Sequence, residues 1–354
     1  MPRSKQSRPD RRSVGARRDA LALLGLDEAA AESQFDEPRA KRERVEQGRE
    51  VRARVPRSSF GEWQPAAERP DPISILEAQA AERVADLIPI RHGRMLASPF
   101  AFFRGAAAVM AWDLGAEPDT GLRVQTCGDA HLANFGAYAA PDRKLVFDLN
   151  DFDETLPAPF EWDLKRLVAS LELAARDNGF GTKERTAIIA TATDSYQGAI
   201  GLLAELRFLD AWYARIDVDR VLAAIEEYGT TEGVEATKLA VQKALRKTSL
   251  GALKKLTVNE GGQLRIRETP PLIVRFDEEH HPAAREIIER AIADYTLTLQ
   301  PDRAELLSRY RMVDFARKVV GVGSVGTEAF IALMMGDRED DPLFLQLKEA
   351  KESV

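Results

Sequence analysis

Cysteine is almost absent from this chain: among 354 residues only Cys127 carries a thiol. An internal disulfide framework is therefore excluded. With only four histidines (His92, His131, His280 and His281) a thiolate zinc centre would also lack ligands. A reducing cytoplasm is the expected setting. Also missing is any apolar run near the roughly 20 residues needed to span a bilayer, so no membrane partner is expected. No continuous apolar segment precedes the first acidic residues, which argues against a secretory signal. Positive charge is not in excess either. The net charge of -7 gives the chain as a whole no electrostatic reason to bind nucleic acid.

What is present suits a globular protein of two lobes. The composition is 44% hydrophobic and 30% charged, and the length allows a sizeable core. The first twenty residues carry Arg3, Lys5, Arg8, Arg11, Arg12, Arg17 and Arg18 with few core-forming side chains, a composition that predicts a disordered arm. A second basic stretch, Lys41 to Arg57, predicts a solvated helix or linker, and the folded domain is expected to start near Ser58. Helical periodicity runs over Pro72–Pro89, Phe100–Leu114, Trp162–Ala175, Lys183–Ala214, Thr237–Leu256 and Pro282–Arg311. Short strands are expected at Leu122–Cys127 and Lys144–Asp148, the second reached through the turn signal Pro141-Asp142. Leu264–Glu268 and Leu272–Phe276 look extended.

The informative string is Cys127-Gly-Asp-Ala-His-Leu-Ala-Asn134, followed after a short turn by Leu145-Val-Phe-Asp-Leu-Asn-Asp-Phe-Asp153. Phosphoryl transfer from a nucleotide needs a carboxylate to orient the attacking hydroxyl and oxygen ligands to hold magnesium against the phosphates. Asp129 and Asn134 could supply the first and one of the second. A carboxylate leaving the neighbouring strand, Asp148 or Asp151, would complete the metal site. Asp151 is preferred because Asn150-Asp151-Phe152-Asp153 sits where the apolar strand turns polar, whereas Asp148 is flanked by Phe147 and Leu149. Both stay open, since alternation alone does not say which face of a strand is buried.

Gly128-Asp129-x-His131-x-x-Asn134 resembles the catalytic loop of aminoglycoside and choline phosphotransferases, members of the protein-kinase-like superfamily. Asn150-Asp151-Phe152-Asp153 resembles their metal-binding carboxylate motif. Asp163, in Trp162-Asp-Leu-Lys165, is similar to the aspartate that braces the catalytic loop in those enzymes. The resemblance implies ATP and magnesium as cofactors and a loop-organising role for His131. Cys127 departs from the pattern, standing where such enzymes usually place a structural histidine; a small buried residue, not a nucleophile, is expected there. The run from Pro56 through Lys165, with Ser98-Pro-Phe-Ala-Phe-Phe-Arg-Gly105, resembles an uncharacterised bacterial family, domain of unknown function 2252, and that likeness covers nearly all of the chain after residue 55.

Near the C-terminus, Gly321-Val-Gly323-Ser-Val-Gly326 matches G-x-G-x-x-G, a weak signal alone. In a kinase-like reading the glycines form a hairpin over the phosphates, Phe330–Met334 is the return strand, and Lys348 on a third strand reaches the phosphates. In a dinucleotide reading Thr327–Met335 is a helix and Glu349 the ribose-binding acid. A plain connector is the third option. Only the first explains both this loop and the Asp129 cluster. It requires the glycine loop to follow the catalytic loop, as in a circular permutation, and the chain ends soon after Lys348, as a fragment of a longer protein would.

The expected fold is α+β and kinase-like. It comprises a disordered basic arm over 1–57, a mainly helical lobe with a catalytic hairpin over 58–312, and over 313–354 the small antiparallel sheet, carrying the Gly-rich loop, of an incomplete nucleotide-binding lobe. The expected activity is ATP- and magnesium-dependent phosphotransfer to a hydroxyl or protein substrate. Its rival is a non-catalytic, pseudokinase-like nucleotide-binding module.

Overall fold

The computed structural model describes residues 39–245, 248–276, 282–319, 321–349 and 352–354. The architecture is α+β, with many helices and small antiparallel sheets. Two units result. One takes the chain up to Asp71 together with Ser98–Gln242 and Glu352–Val354, the other Pro72–Ala97 with Lys243–Lys351. No helix among the described residues is long and apolar enough to cross a membrane.

Part of the stretch expected as a disordered arm is helical. Arg39–Arg54 is a 16-residue helix, built almost wholly from Arg, Lys, Glu, Gln and Ala, which lose little side-chain freedom on helix formation. Its last residue, Arg54, donates to the Thr120 carbonyl at 2.8 Å, and Val55 is buried. The first 38 residues of the expected arm lie outside the described residues.

The first unit carries two small ribbons. β1 (Arg123–Thr126) pairs antiparallel with β4 (Leu156–Pro159), and β2 (Phe135–Ala139) with β3 (Leu145–Leu149). The strand expected at Lys144–Asp148 thus pairs with the segment after Asn134, and the strand before Cys127 pairs with Leu156–Pro159. The turn decides it: Arg143 takes a φ of 65° and donates its amide to Ala140, closing a local hairpin between β2 and β3. β4 runs into the long Phe160–Asp177 helix, and Thr182–Leu203 packs beside it.

In the second unit β5 (Thr257–Glu260) and β6 (Gln263–Ile266) form a hairpin. β7 (Ile273–Arg275), β8 (Arg311–Lys318), β9 (Ala329–Met335) and β10 (Pro342–Lys348) form an antiparallel sheet in the order β10-β9-β8-β7. One sheet face meets Ile288 and Ile292 of the Pro282–Thr298 helix, through Phe315, Ala332 and Met334. The other face packs Ala316, Ile331 and Leu333 against Ile266 and Leu253. Being covered on both faces, β9 is apolar at every position and carries no alternation, which is why its sequence serves equally as helix or strand. It is a strand, and the helix required by the dinucleotide reading does not form. The expected boundary at 312/313 is also corrected. It would cut through β8, which is paired on both sides, with β7 through Ile273↔Lys318 and with β9 through Ala316↔Ile331.

Candidate functional site

The Cys127–Asn134 loop is held by one face of the Phe160–Asp177 helix. Asp163, Arg166 and Ser170 stand three and four residues apart and so share a side. Asp163 accepts the Cys127 amide at 2.7 Å and the Gly128 amide at 3.0 Å. Ser170, fully buried, accepts the Leu132 amide at 2.9 Å and donates to Leu167 O. Arg166 donates from Nε to Asp129 Oδ1 at 2.6 Å and from a terminal nitrogen to Phe103 O at 2.9 Å, with its guanidinium 4.0 Å from the Phe103 ring centroid. The Arg166 side chain is 2% exposed and that of Asp129 17%, so the carboxylate, unlike its partner, keeps an edge open to solvent.

The loop also closes on itself. The Asp129 carbonyl accepts the His131 amide and Asn134 Nδ2, both at 2.8 Å, and Asn134 O accepts the Asn150 amide at 3.0 Å. That last bond ties the end of the loop to the segment leaving β3. Gly128 sits at φ +81°, and a Cβ there would lie 1.8 Å from Glu154 O; only glycine lets the two segments come this close. With its Nδ2 engaged, Asn134 offers its Oδ1 as the ligand-capable atom.

Asp151 touches this group through its backbone, whereas Asp148 lies out on the β2–β3 ribbon. Asp151 is half-buried and its carbonyl accepts the Cys127 thiol at 3.2 Å. Asp148 is exposed on the β2–β3 ribbon, bonds the Leu149 amide at 2.8 Å, and adds to the burial that pushes the Tyr138 phenol up. Around Cys127, burial pushes the thiol up to about 12, and the charges of Asp163, Asp129 and Asp151 act in the same direction. Burial likewise raises the Asp163 carboxyl, against the two amides it accepts, and raises Glu154. His131 is lowered by burial, with Asp129 opposing. Its Nε2 stands 3.7 Å from Asp129 Oδ2, too far for a hydrogen bond, and Nδ1 has no partner among the described residues. Burial thus favours the neutral ring, which packs edge-on against Phe100 and stands beside the Asp129 carboxylate.

A thiol this buried should be chemically inert. At pH 8 a group titrating near 12 is about 1,000-fold less ionised than one at its ordinary 9.0. Alkylation of Cys127 by iodoacetamide should be slower in the native chain than in urea by about that factor, as followed by mass spectrometry. Equal rates would mean that Cys127 is reachable as a thiolate.

Among the described residues no three His, Cys, Asp or Glu side chains gather as a metal-holding group. Magnesium is commonly held by one or two carboxylates plus substrate phosphates and does not need an all-protein cage. Two apolar cavities of about 660 and 690 Å³ share Phe60, Lys165, Val168 and Ile189, and Asp129 lines neither.

Asp129, Asn134, Asp151 and Asp163 fall in the first unit, and Gly321, Gly323, Gly326 and Lys348 in the second. The β10–β9 register sets Lys348 opposite Ala329, at the sheet end where the glycine loop enters β9. Glu349, the candidate ribose acid, accepts the Glu328 amide at 3.2 Å. Arg166 and Ser170 were not among the expected site residues. Their signal was the helical spacing from Asp163, visible once that residue is given a bracing role.

No curated protein and no solved structure matches the chain. Residues 83–354 match the family described as "Uncharacterized protein conserved in bacteria (DUF2252)", and with most of its length so matched the chain belongs to that family.

Proposed function

We propose that the chain is an ATP- and magnesium-dependent phosphotransferase of kinase-like type, acting on a hydroxyl-bearing small molecule or protein. In this reading Asp129 orients the acceptor hydroxyl, and Asn134 and Asp151 are the magnesium ligands. Asp163 braces the loop, and Gly321, Gly323, Gly326 and Lys348 engage the phosphates. A bound magnesium–nucleotide would supply the transferable phosphoryl group and charge neutralisation.

The observation that carries the reading is the double clamp of Asp163 on the Cys127 and Gly128 amides. It fixes the backbone immediately before Asp129, and an orienting carboxylate works only if its position is set in advance. A second reading, a nucleotide-binding module without turnover, draws on the 2.6 Å bond from Arg166 to Asp129, because a carboxylate already satisfied by a guanidinium is a weaker proton acceptor.

Magnesium-ATP should raise the unfolding free energy by about 2.7 kcal/mol at 100 times its dissociation constant, and Asp151→Asn should remove most of that gain. Release or transfer of labelled γ-phosphate should fall about 100-fold or more in Asp129→Asn. Stabilisation without any phosphate release, at enzyme-stoichiometric sensitivity, would favour the binding module. Neither effect at millimolar nucleotide would remove both readings.

A further inference from the structure

The glycine loop between β8 and β9 is gripped by three arginines from its own unit. Arg83 donates to Gly323 O at 3.0 Å and Val325 O at 2.9 Å, Arg91 to Gly323 O at 2.7 Å, and Arg94 to Gly321 O at 2.5 Å. The Val84 amide adds a bond to Gly326 O at 2.8 Å. Close contact is built into the loop: Gly326 sits at φ +94°, and a Cβ there would stand 3.0 Å from Arg83 Cβ.

These bonds sort the loop's polar groups by kind. The carbonyls are committed, those of Gly321, Gly323 and Val325 to guanidiniums and those of Val322, Ser324 and Gly326 to the amides of Val325, Thr327 and Val84, while the successive amides of Val322 and Gly323 donate to nothing among the described residues. What remains to offer a ligand is therefore almost entirely donors: the backbone N–H groups of Val322 and Gly323 and the guanidinium of Arg94, which has five N–H groups and spends one on Gly321 O. Consecutive backbone N–H groups in a glycine-rich turn form an anion-binding concavity, and planar guanidiniums match phosphate oxygens in pairs. Arg91 is 3% exposed and holds the loop from beneath. Arg94 is half-buried, has no carboxylate partner among the described residues, and adjoins exposed Gly321.

We propose that Arg94 and the amides of Val322 and Gly323, on a loop held in place by Arg83 and Arg91, form an anion site for the polyphosphate chain of a nucleotide, Arg94 being the arginine that touches the phosphates. A single carboxylate ligand has too few oxygens for so many donors, whereas a triphosphate has enough. The choice of a nucleotide as the source of that chain rests on the phosphotransferase reading; the anion site itself rests on the loop.

Calorimetric titration of the full chain with tripolyphosphate and with ATP, both without metal, tests this. Binding should weaken about tenfold or more in Arg94→Gln, the value of a lost charge-assisted hydrogen bond, and should lose part of its salt dependence. Arg94→Lys, which keeps the charge without the fork, should fall between, and remains measurable if the glutamine variant fails to fold. Tighter binding of ATP than of tripolyphosphate supports the nucleotide as the source, while equal affinity overturns that part. No binding by the native chain at millimolar ligand, or unchanged affinity in a folded Arg94→Gln, overturns the site. Metal-free binding without phosphate transfer would leave the anion site standing and the enzyme reading not. Transfer with unchanged Arg94→Gln affinity would do the opposite.

Discussion

Gly128→Ala should lower the unfolding free energy of the chain by about 3–5 kcal/mol, the sum of a conformational and a steric cost. The first arises because φ is +81°, a left-handed value that costs an L-residue about 1–2 kcal/mol. The second is larger. The new Cβ would fall 1.8 Å from Glu154 O and 2.6 Å from Glu154 C, and both are backbone atoms, so no rotamer change relieves the overlap. Moving the loop instead would pull the Cys127 and Gly128 amides off Asp163, whose buried charge depends on them. Gly179 provides the control. It has a comparable φ of +76° with nothing within 4 Å of its would-be Cβ, so Gly179→Ala should cost only the conformational part, about 1–2 kcal/mol. Urea unfolding of both variants with unchanged slope would measure the difference. Equal losses would mean that the close approach of Gly128 to Glu154 does not exist in solution.

That contrast bears on how much of the molecule could be read from its residues. The grouping of Gly128, Asp129, Asn134 and Asp163 was legible because it is local, their spacing reflecting one turn and one helix start. Strand pairing was less so. Nothing in Leu145–Leu149 says whether its partner precedes Cys127 or follows Asn134, and the answer lies in the turn at Arg143. β9 hid its type because burial on two faces erases alternation. The division into units was the least legible. Pro72–Ala97 belongs with Lys243–Lys351, distant in sequence, through bonds such as Arg91 to Gly323 O, and no local pattern announces a segment that supports a loop so far along the chain. The helical part of the basic stretch was visible as propensity, but its anchor, Arg54 to Thr120 O, was not.

Arg166→Met should destabilise the chain by about 2–4 kcal/mol, somewhat below the usual cost of breaking a buried ion pair. Four contacts are lost together: the 2.6 Å bond to Asp129 Oδ1, the 2.9 Å bond to Phe103 O, the 3.7 Å contact with Met110 Sδ, and the stacking over the Phe103 ring. Methionine replaces much of the apolar stem at this 2% exposed position but none of the donors. The cost is moderated on one side only. Asp129, 17% exposed, can recover some hydration, whereas the Phe103 carbonyl loses a charged donor within a packed helix end. If the charge pair dominates, adding Asp129→Asn to Arg166→Met should cost less than Asp129→Asn alone, because an amide without a guanidinium partner is better tolerated than a carboxylate. The double-mutant cycle should then show a coupling of about 1 kcal/mol or more between the two positions. Additive losses within about 0.5 kcal/mol would show that Arg166 acts through Phe103 and packing alone. In that case Asp129 would be held through its carbonyl, by the His131 amide and Asn134 Nδ2, with no part played by Arg166 on the helix face.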